Sequence, residues 1–325
     1  MIEKICNTDI ILMQGLPASG KSSLNNIYIN NGYKIVSRDK IGCTMAGVLQ
    51  YIRQNKLTKI IVDATFPTVE SRESFINYAK EKNLTIGCHR VKTSKEDCLI
   101  NAMLRSKKIT GEFYYHFSEL PDEWKKNPQV FVIPVIFKQV KEAKIPRKIE
   151  GFDEIISTPF ERVWEDGYTN KAVFVDFDGT IRETIDDDSQ YPYPVTFHNQ
   201  RILSNSEEVL REYKEKGYLI IGVSNQSGIN KGHFIDDVDG IFEETKALLN
   251  NGGENIIDDY MYCPHSMPAQ ICACRKPQSG MGLYFRDKYK LDLSKCIMVG
   301  DRTTDKTFAT RLGITYFDQK QFFKR

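Results

Sequence analysis

The sequence predicts an α/β protein of two units, each a parallel sheet flanked by helices. Short apolar runs alternate with longer mixed segments that read as helices, which is the pattern of layered α/β folds. The pattern starts twice, at Ile10-Ile11-Leu12-Met13 and again at Ala172-Val173-Phe174-Val175. Each start runs straight into a loop of special residues, Gly15–Ser22 in one case and Asp176–Thr180 in the other. A length of 325 residues suits two domains. The polar stretch from Trp164 to Asn170, with Gly167 inside it, marks the boundary and gives domains 1–166 and 167–325.

Composition narrows the class. Hydrophobic residues make up 41% and charged residues 27%, the balance of a soluble chain that can bury a core, which excludes collagen and general disorder. No apolar run approaches a membrane span, so no membrane partner is expected. The start, Met1-Ile2-Glu3-Lys4, lacks the marks of a secretory signal. Cys6, Cys43, Cys88, Cys98 and Cys296 are scattered singly, unlike a disulfide framework. A cytoplasmic location, or nucleoplasmic in a eukaryote, is therefore expected. Residues 1–165 hold 25 Lys+Arg against 19 Asp+Glu, and the remainder 20 against 24. A mildly basic front half suits an anionic partner such as nucleic acid.

The first strand leads into Gly15-Leu16-Pro17-Ala18-Ser19-Gly20-Lys21-Ser22, which fits GxxxxGK[ST]. Glycines let successive N–H groups face phosphate oxygens. A helix starting near Lys21 presents its positive end to the same anion. Lys21 adds a full charge near the β/γ-phosphates, and Ser22 offers a hydroxyl to Mg²⁺. Gly15, Ser19, Gly20, Lys21, Ser22 and Ser23 are thus the expected ATP site. The next strand, Tyr33–Ser37, runs into Arg38-Asp39. Strand C-termini face the phosphate site in a parallel sheet, so Asp39 is placed as the base and Arg38 as a grip on an acceptor phosphate. The strand Lys59–Val62 ends in Asp63, a second acid for Mg²⁺ or its water. Ser71-Arg72 opens a helix, with Arg72 a candidate acceptor contact. The cation-rich helix end Asn101–Lys108 reads as a lid with Arg105 as its catalytic arginine. The aromatic run Tyr114–Phe117 around His116 reads as packing.

The P-loop, Ser37-Arg38-Asp39-Lys40-Ile41-Gly42, Val62–Pro67 through Arg72, and Glu150-Gly151-Phe152-Asp153-Glu154-Ile155 to Pro159-Phe160 together resemble the kinase domain of bifunctional polynucleotide kinase/phosphatases. The resemblance spans most of residues 8 to 164. It implies a P-loop kinase that phosphorylates 5′-hydroxyl ends of DNA or RNA.

The second opening strand leads into Asp176-Phe177-Asp178-Gly179-Thr180, a DxDGT signature. Asp176 is the expected nucleophile and Asp178 the acid–base group, brought together by the Gly179 turn. Magnesium ligands are expected from Asp176, the Phe177 carbonyl, Asp178 and Asp301. The strand Leu219–Val223 ends in Ser224-Asn225, expected to contact substrate phosphate. Lys276 would stabilise nucleophile and phosphate beside Arg275. In this order the motifs resemble the haloacid dehalogenase (HAD) phosphatase superfamily over residues 171 to 317, which implies a Rossmann-like fold.

Cys263, His265, Cys272 and Cys274 form CxH and CxC pairs, a complete ligand set for a closed, structural zinc site that pins the loop carrying Arg275 and Lys276. Such a loop resembles the histidinol-phosphate and heptose-bisphosphate phosphatase branch. The leading expectation is a bifunctional nucleic-acid end-processing enzyme that uses ATP, Mg²⁺ and structural Zn²⁺. It would add phosphate to 5′-OH ends and remove 3′-phosphate, leaving the ends a ligase needs. Its kinase-first order resembles the phage type. The alternative is a small-molecule kinase/phosphatase pair, which the zinc loop favours. A nucleic-acid-binding module with dead sites is a third reading, opposed by the intact set of acids and lysines.

Overall fold

The computed structural model describes residues 4–41, 44–164, 166–185, 190–266 and 271–325, save the side chains of Asp39 and Lys40. The chain divides into two units, Met1–Tyr114 with Leu120–Val163, and Tyr115–Glu119 with Trp164–Arg325. The division lies just ahead of the cut expected from the polar stretch. Nothing in the sequence pattern announced that Tyr115–Glu119 would group with the second unit.

Five strands form the sheet of the first unit: β1 (Ile10–Gln14), β2 (Lys34–Ser37), β3 (Ile60–Asp63), β4 (Ile86–Lys92) and β5 (Glu154–Pro159). They lie in the order β2-β3-β1-β4-β5, and every pairing is parallel. β1 is buried at every position, as a strand covered on both faces must be. Its side chains alternate. Ile10 and Leu12 join Val62 and Phe75 on one face, while Ile11 and Met13 join Tyr28 and Ile61 on the other. Because all five strands run the same way, Gln14, Ser37 and Asp63 end on one edge of the sheet.

Two local features depart from expectation. The helix expected at Lys21 begins as a 3₁₀ turn, Lys21–Leu24, and becomes α-helical only over Asn25–Asn30. The cause is the tight winding of the loop. Ala18 and Gly20 take φ values of 58° and 90°, and the Ser23 N–H closes onto the Gly20 carbonyl at 3.0 Å. The helix carrying Arg72, Val69–Glu81, opens with a reciprocal capping pair between Thr68 and Ser71.

The second unit repeats the architecture with β6 (Ala172–Val175), β9 (Leu219–Asn225), β10 (Asp259–Cys263), β11 (Ile297–Gly300) and β12 (Thr315–Asp318). Their order is β10-β9-β6-β11-β12, again all parallel. A short antiparallel ladder, β7 (Arg182–Glu183) and β8 (Arg201–Ile202), stands apart. Val173 and Val175 pack with Leu210, Ile220 and Phe242 on one face of the sheet. Phe174 points the other way, against Phe285 and Phe308 at 6.5 and 6.1 Å between ring centroids. Among the described residues, no helix is long and apolar enough to cross a membrane.

Candidate active sites

The first site is built mostly from main chain. The Gly15–Ser22 loop leaves β1, and the Gly15 N–H donates to the Thr65 carbonyl at 3.3 Å, tying it to the segment after β3. A Cβ at Gly15 would come within 2.6 Å of Ser19 Oγ, so the loop closes this tightly only with glycine there. Lys21 is buried. Its ammonium donates to the Gly15 and Leu16 carbonyls at 3.1 and 2.7 Å and reaches Ser19 Oγ at 3.4 Å. The charge is thus satisfied by the loop's own oxygens, at the place a polyanion would compete for it. Ser22 Oγ donates to Asp63 Oδ2 at 2.9 Å, and Asn25 Nδ2 donates to the same oxygen at 3.1 Å. This joins the ends of β1 and β3. Ser23 is exposed.

Arg38 is exposed at the head of the short helix Arg38–Ile41, directly after β2. Asp39 lies in that helix, and its side chain is outside the described residues. Arg105 sits on the helix Lys95–Thr110, and its Nε donates to the Gln129 carbonyl at 3.1 Å. Beside the loop is a cavity of about 280 Å³ whose lining includes Gln14, Gly15, Thr65, Arg90 and Gln139.

Arg72 requires a correction. It is wholly buried, and its guanidinium holds Glu150 through two bonds of 2.8 and 2.9 Å and the Phe66 and Lys144 carbonyls at 3.1 Å each. Every donor direction is turned inward, so Arg72 clamps the unit together and cannot meet an acceptor. Glu150, read as part of the closing sequence motif, is its counter-charge.

The second site is built from buried side chains. Asp176 directly follows β6, its N–H donating to the Val299 carbonyl at 3.0 Å. Gly179 turns the chain at φ 80°, and a Cβ there would lie 2.6 Å from Asp301 Oδ2. Lys276 Nζ stands 2.7 Å from Asp176 Oδ1 and 2.7 Å from Asp305 Oδ1, without the alignment of a hydrogen bond to either. Burial pushes the Asp176 carboxyl up, with Lys276 opposing. Burial likewise works against the Lys276 ammonium, but Asp176 and Asp305 outweigh it and hold it above the ordinary lysine value. The two directions pull against each other for one ion pair. The ammonium between two carboxylates keeps its proton, and its charge opposes protonation of Asp176.

Asp176, Asp301 and Asp305 bring one oxygen each within 4.8 Å of one another. Three carboxylates against a single ammonium leave excess negative charge, and burial also raises Asp301. The hard oxygen set fits Mg²⁺.

Two expected ligands do not fit. The Phe177 carbonyl already accepts the N–H groups of Thr180, Ile181 and Arg182 at 3.0 to 3.1 Å. These bonds form the turn itself and leave no lone pair for a metal. The Asp178 carboxylate is also held elsewhere, by Arg182 Nε on Oδ1 at 2.8 Å and Gln226 Nε2 on Oδ2 at 2.6 Å. Asp305, not Asp178, stands with Asp176 and Asp301 in the carboxylate group. Asn225 differs too. Its amide accepts from Lys276 N at 2.8 Å and donates to Lys276 O at 2.9 Å, so it clamps the lysine loop instead of reaching substrate. Ser224 is buried and accepts from Gln226 at 2.9 Å. Arg275 donates to the His265 carbonyl at 3.2 Å.

Arg182, Gln226 and Asp305 are the residues of this site to which the motifs gave no role. Arg182 is wholly buried, donates to Thr245 at 2.7 Å and lies over the Phe242 ring at 4.4 Å. An arginine following an isoleucine just behind DxDGT was the available sign.

Cys263, His265, Cys272 and Cys274 converge in a buried cluster. His265 Nδ1 lies 3.4 Å from Cys263 Sγ and 3.3 Å from Cys274 Sγ. Cys263 Sγ lies 3.7 Å from Cys272 Sγ and 3.1 Å from Cys274 Sγ. A tetrahedral zinc with Zn–S bonds of about 2.3 Å has sulfur–sulfur edges near 3.8 Å, so the four ligands fit it with little movement. Tyr115–Glu119 packs here. Ala273 N donates to the Tyr115 carbonyl at 2.8 Å, and His116 stacks on His265 at 4.8 Å. Glu119 Oε1 stands 3.9 Å from His265 Nε2, the nitrogen facing away from the sulfurs. The expected packing role of His116 is thus against one member of the Cys/His cluster.

A family described as HAD-hydrolase-like matches residues 273–317, within the second unit. A probable D-glycero-D-manno-heptose-1,7-bisphosphate 7-phosphatase of Thermoplasma volcanium is 35% identical over 150 residues, 45% of this chain and 96% of its own length. The D-glycero-beta-D-manno-heptose-1,7-bisphosphate 7-phosphatase of Haemophilus influenzae is 36% identical over 141 residues, 42% of this chain and 73% of its own. A chain from the Pnkp1/Rnl/Hen1 RNA repair complex aligns over 95% of this chain and 94% of its own at 15% identity and a TM-score of 0.31, too distant to carry function. The chain belongs to the HAD-like hydrolases. Its second unit is a HAD-type phosphatase domain resembling the heptose-bisphosphate phosphatases.

Proposed function

We propose that the chain processes nucleic-acid ends, phosphorylating 5′-hydroxyls from ATP in the first unit and removing 3′-phosphate in the second. Carrying the phosphatase half is the buried Asp176–Lys276–Asp305 group, which sets a carboxylate nucleophile against a fixed ammonium. Asp176 attacks phosphorus and the bond to the 3′-oxygen breaks. That oxygen takes a proton from Asp178. Asp178 then draws a proton from water, whose oxygen attacks the acyl-phosphate, releasing inorganic phosphate and restoring Asp176. Gln226 is suited to serve both states of Asp178. Its Oε1 is buried without a partner, so rotating the amide lets it accept from a protonated carboxyl where Nε2 now donates to a charged one. Asp176, Asp301 and Asp305 would hold Mg²⁺, which supplies charge neutralisation for the phosphoryl oxygens.

Support for the kinase half comes from the Lys21–Ser22–Asp63 arrangement and the ordered motifs shared with polynucleotide kinases. The loop's N–H groups and Lys21 would receive the triphosphate of ATP, Ser22 and Asp63 would receive its Mg²⁺, and Asp39 would take the acceptor proton. Product ends with 5′-phosphate and 3′-OH suit a ligase acting next.

A second reading is a sugar-phosphate enzyme, favoured by the zinc loop and by the heptose-bisphosphate phosphatase relatives. One assay separates them. Labelled-phosphate transfer to a 5′-OH oligonucleotide and phosphate release from a 3′-phosphate oligonucleotide are measured beside heptose bisphosphate. Turnover of the sugar with no action on either oligonucleotide removes the first reading.

A further inference from the structure

Four rings stand together beside the phosphatase centre, and none belongs to the catalytic set. Tyr191 stacks on His233 at 4.1 Å and 20°, Tyr193 lies nearly parallel to Tyr191 at 5.7 Å and 15°, and Phe234 lies at 5.7 Å and 18° from Tyr193. The Tyr193 and His233 rings are parallel to within 10° and are joined by a 2.8 Å hydrogen bond between Oη and Nδ1. All four are half-buried. The next residue, Ile235, is 77% exposed.

The panel is fixed to the catalytic loop. His233 N donates to the Gly228 carbonyl at 3.0 Å. A Cβ at Gly228 would meet Tyr193 Oη at 2.6 Å and Phe234 Cε2 at 2.9 Å, so glycine is what lets the rings come this close. Just before Gly228 stands Gln226, which holds Asp178. Burial raises the Tyr193 phenol, with Tyr191 and then the Asp178 carboxylate adding to it.

We infer that the Tyr191–Tyr193–His233–Phe234 panel receives the nucleobase of the substrate's terminal nucleotide, holding it by stacking while its phosphate lies at Asp176. The inference rests on the polynucleotide reading of the second unit and names how that substrate is recognised. Parallel ring faces recognise flat π-systems with little regard to which base is present. An aromatic face also takes the C–H face of a sugar ring, so the base is assigned through the polynucleotide reading, and an abasic substrate separates the two. In this panel the Tyr193 hydroxyl and one ring nitrogen of His233 are spent on each other.

The test compares two 3′-phosphorylated oligonucleotides on the intact protein, one with a normal terminal nucleotide and one with the terminal base missing. The abasic end keeps sugar and phosphate and loses only the stacking partner. We expect kcat/KM to fall about ten-fold or more for the abasic end, and Tyr191→Leu and His233→Leu to shrink that ratio to about two-fold or less. Equal wild-type rates on the two ends would overturn the panel's role while leaving the polynucleotide reading intact. A ratio unchanged in both folded variants would do the same. Release from heptose bisphosphate with none from either oligonucleotide would remove both. If a variant fails to fold, the wild-type ratio decides alone.

Discussion

Two parallel sheets of five strands, each with its loops gathered on one edge, carry sites of opposite construction. In the first unit the loop oxygens of Gly15 and Leu16 cradle Lys21, and the groups that would meet a ligand are main-chain atoms. In the second the working groups are side chains locked into a buried network, with Asp176, Lys276 and Asp305 in mutual contact and Asp178 held by Arg182 and Gln226. A backbone cradle needs its anion to draw the lysine off its own carbonyls. A side-chain network is organised beforehand, and its cost is burying negative charge that a cation must balance.

Five outcomes would sharpen or break this contrast. Stripping zinc should have the largest effect, because structural zinc sites carry apparent binding free energies of about 10–16 kcal/mol. Calorimetry should show the second unit melting earlier after chelation while the first is unmoved, and elemental analysis should find one zinc per chain beforehand. Asp176→Asn should cut phosphate release by about 10⁴-fold or more, with phosphorylation of 5′-OH ends retained. Loss of both activities would deny that the sites work independently. Next comes Arg72→Ala, which strands Glu150 and should cost about 3–5 kcal/mol in denaturant unfolding of the first unit. A fold left at wild-type stability with weakened acceptor binding would restore Arg72 to the substrate. Lys21→Ala should lower kinase turnover by about 10²–10³-fold and leave phosphatase rates alone. The smallest change is expected from Asn225→Ala, at about 1–3 kcal/mol, since it unties both main-chain bonds to Lys276. Its effect should fall on kcat more than on KM, a split that a substrate-contacting asparagine would reverse.

How much could be read in advance follows the same contrast. Strand starts, the two sheets and the glycine loop were legible because they depend on local pattern: an apolar run, a turn, a motif. Cys263, His265, Cys272 and Cys274 were legible because ligand spacing is itself the signal. The errors concern what a side chain meets across the fold. Arg72 carries a charge and stands in a motif, yet its partner is 78 residues away at Glu150. Asn225 sits where a phosphate contact belongs, but its partner is the main chain of Lys276, 51 residues on. The Phe177 carbonyl was lost to the turn that places Asp176, a competition visible only once hydrogen bonds are counted. Asp305 and Gln226 were hidden for a similar reason, since their partners Lys276 and Asp178 come from distant parts of the chain.

Tyr115–Glu119 emerges early in synthesis, while Ala273 and His265, which it touches, are made much later. At ordinary elongation rates of 5–20 residues per second, the wait is roughly 8 to 30 seconds. For that interval the nascent chain carries a short stretch whose resting place does not yet exist. A ribosome stalled before residue 273 would therefore leave Tyr115, which the finished chain buries, without the main-chain partner at Ala273 that holds it.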